Sequence, residues 1–105
     1  MFDDRLMMKI EFRILKDNIK KLNEKFLDTL IDFSNSDETE NIEDNLKYLK
    51  DIFIEQLNEI LNGFVTTYSE TQEFPSSALN KLEKNVISEW SYLLLITKIK
   101  KTALK

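Results

Sequence analysis

The side chains able to do chemistry here are carboxylates, amines, guanidinium groups and hydroxyls, because the chain contains neither histidine nor cysteine. These two absences remove Cys/His zinc sites, Ser-His-Asp and Cys-His nucleophilic centres, and imidazole acid–base catalysis. The carboxylates crowd in one place: Asp37, Glu38, Glu40, Glu43 and Asp44 fall between Ser34 and Asn45 with no base among them. Asp37, Thr39 and Asn41 echo the spacing of a calcium loop. However, the sixth position is Ile42 where a glycine is needed, and the twelfth is Tyr48 where a bidentate glutamate belongs. A phosphate-cradling loop is out of reach with a single glycine. The remaining acids read as solvated helical faces rather than as a tuned acid and base. The expectation is a non-enzymatic protein with no cofactor and no metal.

The amines segregate too. From Ala78 onward there are six lysines against two glutamates, and Lys98, Lys100, Lys101 and Lys105 crowd the end. As a phosphate footprint the cluster is weak, since it lacks arginine and interleaved aromatics, and the net charge of −4 opposes nucleic acid. The plainer expectation is that the basic tail meets the acidic loop and each neutralises the other. Cations also suit the C-terminal end of a helix.

The elements that must position these groups are helices. One glycine and one proline leave few sites for tight turns, and 42% apolar residues suffice for one core. Three helices are expected, at about 3–33, 42–62 and 77–101, forming one domain over 1–105. The first carries Met8, Phe12, Leu15, Ile19, Leu22, Phe26 and Phe33 at three- and four-residue spacing, with Thr29 as its polar member. The second carries Ile42, Leu46, Leu49, Phe53, Leu57 and Ile60, capped by Thr39 or Asn41 and ended by a left-handed Gly63. The third opens on Pro75-Ser76-Ser77 and carries Leu79, Leu82, Val86, Trp90, Leu93 and Ile96. These stripes predict an all-α, antiparallel three-helix bundle. The alternative is an α+β fold with a two-stranded element from residues 7–14 and 64–68, because Met8, Ile10, Phe12 and Ile14 alternate with charged residues.

More apolar helical surface is present than three rods need. At 1.5 Å per residue the first helix would be about 46 Å long and the second about 31 Å, leaving residues 3–12 unmatched. In that region Met7, Ile10 and Ile14 lie away from the main stripe, so either the connector from Phe64 to Phe74 folds over it or, as the leading expectation, a second copy of the chain covers it. Leu93-Leu94-Leu95-Ile96 wraps a whole turn beside Trp90 and Tyr92, which marks Trp90, Tyr92, Leu94 and Leu95 for a second partner surface.

Function is expected within the class of helical protein-interaction modules. A small acidic inhibitor, antitoxin or immunity-type protein fits the size and charge, self-associating as a homodimer and offering its acidic patch to a basic target. Rival readings are a nucleic-acid-associated accessory subunit using the C-terminal lysines, and a structural adaptor. The longest uncharged apolar stretch, Trp90 to Ile96, is far short of the roughly 20 residues that span a bilayer. Together with an acidic N-terminus and no cysteine, this predicts a cytoplasmic protein without membrane contact.

Overall fold

A computed structural model describes the backbone of residues 4–68 and 76–103, and the side chains of residues 10–65 and 77–103. Among the described residues there are three helices and no strand: α1 (Asp4–Asn35), α2 (Ile42–Tyr68) and α3 (Ser76–Ala103). They run up, down and up as a rod of 60 × 17 × 16 Å. Its radius of gyration is 17.1 Å, against roughly 13 Å for a rounded domain of this length. α1 and α3 therefore run parallel, and their C-terminal ends lie side by side.

The core follows directly from the apolar spacing. On α1, Leu15, Ile19, Leu22, Phe26 and Leu30 are buried. The inward line leaves the strict heptad after Phe26 and takes Leu30 rather than Thr29, because 3.6 residues per turn drift against a 3.5-residue repeat. Thr29 is exposed and its hydroxyl donates back to the Lys25 carbonyl at 3.3 Å. On α2, Phe53 and Leu57 are completely buried. One aromatic from each helix meets at mid-height. Phe53 stacks on Trp90 at 4.8 Å, and Phe26 meets both edge-on at 5.4 and 6.0 Å. Such pairs contribute about 0.5–1.5 kcal/mol each beyond their buried area.

Asn41 opens α2 with φ 56°, and its carbonyl accepts the first helical bond from the Asn45 amide at 3.0 Å. Asparagine tolerates this left-handed conformation better than most residues. Glu43 and Asp44 in the first turn place negative charge at the positive end of the helix dipole.

Two expectations fail at the other end of α2. Gly63 does not stop the helix; its φ is not positive, and α2 continues to Tyr68. Continuation buries Phe64 and packs it edge-on against Phe12 at 6.1 Å. The early part of α1 is thereby matched, which shortens the expected unmatched segment. The two-stranded alternative falls for the same reason, since 7–14 and 64–68 are both helical. The alternation in 7–14 resolves into two helical faces, with Phe12 turned toward α2 and Ile10 and Ile14 one turn apart outside.

Gly63 thus sits inside a helix, and an added Cβ would meet nothing within 4 Å. Gly63→Ala is expected to stabilise the fold by about 0.5–1 kcal/mol by restricting the unfolded chain, measured as a higher urea midpoint at unchanged slope.

Candidate interaction surface

The last turns of α3 invert the usual arrangement of a helix on a core. After Trp90 the inward line passes through Leu94, Thr97 and Lys101, all buried. Tyr92, Leu95, Ile96 and Ile99 face water, with 63, 53, 44 and 61% of their surface exposed. Their spacing of three, one and three residues places them on one stripe of the helix. Turning 100° per residue, Ser88 and Ala103 extend that stripe without a charge. Glu89 and Lys100 run along the flank nearer α1, and Lys98 along the flank nearer α2.

Lys101 explains the inversion. Its ammonium donates to the Ser36 carbonyl at 2.8 Å, the Ser36 hydroxyl at 2.7 Å and the Glu38 carbonyl at 2.7 Å. All three of its protons are thus used. The Ser36 hydroxyl in turn donates to the Phe33 carbonyl at 2.7 Å, and the ammonium sits 4.5 Å over the Phe33 ring. The last turn of α1 has no basic residue of its own. Because α1 and α3 are parallel, two negative dipole ends lie together, and a cation from α3 serves both. Thr97 fits inside because its hydroxyl bonds to the Leu93 carbonyl at 2.9 Å.

The expected site residues divide accordingly. Tyr92 and Leu95 are at the surface as anticipated, whereas Trp90 and Leu94 are core residues, 3 and 7% exposed. They fall inward because the helix turns one residue in four toward α1 and α2, whatever the polarity of the neighbours. Ile10 and Ile14 are exposed at 44 and 47%, while the Met7 side chain lies outside the described residues. Ile14 borders a shallow groove with Glu11, Asn18, Glu59 and Ile60.

The lysine cluster is dispersed. Lys101 is fully buried and so is no contact for nucleic acid; the loop carbonyls take its charge. Lys98 pairs with Glu43 at 2.8 Å, and Lys100 donates to the Asn35 side chain at 3.1 Å. Lys105 lies outside the described residues. Tail and acidic loop therefore meet, as the charge pattern suggested, and Asp37, Glu38, Glu40 and Asp44 keep exposed side chains. Lys98 also shares an open groove with Lys47 and Lys50 of α2, over a floor of Leu46, Leu94 and Leu95. Those two α2 lysines escape sequence reasoning because only the α2–α3 packing brings them to Lys98.

On the side facing α1, a second groove is lined by Lys20, Asn23, Glu24 and Leu27 of α1 and by Glu89, Trp90 and Leu93 of α3. Leu27 and, one turn on, Ile31 are exposed at 37 and 46%, which widens the apolar stripe of α3 toward α1. The buried Trp90 indole N–H finds no acceptor among the described residues. Among the described residues, no group of three or more Asp or Glu is arranged to hold a metal ion. No described helix is long and apolar enough to cross a membrane.

Two measurements check this electrostatic account. A lysine on the surface tolerates methionine within about 0.5 kcal/mol. Lys101→Met, which strands buried acceptors, is instead expected to cost about 2–3 kcal/mol, read as a lowered thermal midpoint. The second concerns Glu43, whose carboxyl is held below its usual pKa by the hydrogen bond and then the charge of Lys98. A depressed folded-state pKa contributes stability above the ordinary carboxylate pKa and loses it as pH falls through the lowered value. NMR titration is expected to place the Glu43 midpoint below the usual glutamate value, and Lys98→Met to return it there. The chain matches no known protein-family model, no curated protein and no solved structure.

Proposed function

We propose that the protein is a non-catalytic helical docking module whose working surface is the outward face of α3. The observation that carries this reading is the uncharged stripe of Tyr92, Leu95, Ile96 and Ile99, four large side chains left in water on consecutive turns. Isolated exposed apolar residues are ordinary, but four in register amount to on the order of 400 Å² of apolar surface, the scale that marks an association site. An aromatic among aliphatics also has the make-up of an interface centre. A nucleic-acid role draws little support, because Lys101 is buried and Lys98 is paired with Glu43.

A photo-crosslinking residue placed at position 92, in cells that make the protein, tests the reading. Position 48 supplies the control, since Tyr48 is as exposed, at 65%, but lies on α2. Discrete protein adducts are expected from 92 and not from 48. Adducts absent at 92, or equal at both positions, would refute it.

A further inference from the structure

The same face has a symmetry that identifies its occupant. We infer that the α1–α3 face docks on a second copy of this chain, packed antiparallel about a two-fold axis that passes over α3 at the level between Leu95 and Ile96. The inference rests on the docking role of the α3 stripe and deepens it.

Three observations converge on this occupant. First, the apolar residues share one level. The α3 stripe is centred between Leu95 and Ile96. Leu27 lines one groove with Leu93, and Lys100 reaches Asn35 at 3.1 Å. This register places Leu27 and Ile31 on either side of the same midpoint. A two-fold axis in the contact plane, perpendicular to the helices, lays Tyr92 against the partner's Ile99 and brings Leu27 within about one helical turn of the partner's Ile31. Such an isologous contact closes on itself.

Second, the charges are self-complementary. Glu24 and Glu89 lie before the midpoint, with Lys20 a turn farther from it, and Lys100 lies beyond it, on the same side of α3. Antiparallel pairing brings Lys100 to the level of both carboxylates on the other copy. The axial mismatch is two residues, about 3 Å at the helical rise, within reach of a lysine side chain. Lys47, Lys50 and Lys98 stand on the opposite flank, away from this contact.

Third, the area is adequate. At their exposures the six apolar side chains leave on the order of 550 Å² per copy in water. Two copies face to face would cover roughly twice that, near the ~1,200 Å² where specific interfaces begin, before any polar rim is counted.

Sedimentation velocity on the full chain, from about one to a few hundred micromolar, tests the inference, since a self-associating mass rises with concentration. The mass is expected to climb from 12.5 kDa toward twice that value. Ile96→Lys with Ile99→Lys should hold the chain monomeric with an unchanged helical circular dichroism spectrum, because both side chains point outward. Lys100→Glu alone, and Glu24→Lys with Glu89→Lys, should each weaken association about tenfold through like-charge contacts. Mixing those two variants should restore it, since each then meets the opposite charge at both ends. A monomer throughout the range, or a dimer that ignores the stripe and charge variants, would overturn the inference. In either case adducts to another protein from position 92 would leave the docking role standing with a different occupant, whereas their absence would remove both.

Discussion

α1 and α3 run parallel and end at the same level, and that arrangement shapes the functional half of this protein. The carbonyl ends of α1 and α3 converge where α1 has no cation of its own. A lysine from α3 is drawn into the gap, fully buried, and divides its three protons between one hydroxyl and two carbonyls. Burying an ammonium is unfavourable unless every proton is bonded. Here every proton is. Fixing Lys101 inward fixes the rotation of α3 about its axis. Thr97 and Leu94 then follow inward, and Leu95, Ile96 and Ile99 are carried outward. The exposed stripe is thus a geometric consequence of how the bundle closes at one end.

The legibility of the sequence follows the same division. Residues 15–26 and 42–57 obey a simple rule, apolar inward at three- and four-residue spacing, and the structure places them as that rule requires. The rule fails beyond Trp90 because it follows apolar residues, and there the inward positions are occupied by a threonine and a lysine. The spacing rule places Trp90 inward correctly but also places Ile96 there, which is exposed, while the aliphatic run Leu93–Ile96, too large for one core, marks the buried Trp90 and Leu94 for a surface and leaves Lys101 to solvent. The Gly63 expectation failed for a different reason. A glycine followed by an aromatic is a local stop signal, but burial of Phe64 against Phe12 outweighs it.

Charge behaves in a related way. The acidic run from Asp37 to Asp44 and the lysines of the C-terminal end are separated in sequence and adjacent in space. Their meeting is mostly local neutralisation, with Glu43 and Lys98 paired at an exposed site and Lys101 bonding backbone rather than carboxylate. Exposed pairs of this kind contribute little to stability. They do determine which charges remain available to other molecules. Around the α1–α3 groove the balance is even, with Lys20, Glu24 and Glu89 on one side of the midpoint and Lys100 on the other. Around the α2–α3 groove it is basic.

The aromatic meeting point has a spectroscopic consequence. Trp90 is the only tryptophan in the chain, and it lies where Phe26 of α1 and Phe53 of α2 converge. Its indole is shielded from solvent only while all three rods are docked. Removing any one of them would hydrate the ring. Intrinsic emission therefore reports the joint assembly of the three helices, separately from the helical content of any one of them. With a single tryptophan, excited apart from its three tyrosines, the sequence thus carries a built-in gauge of its own tertiary closure.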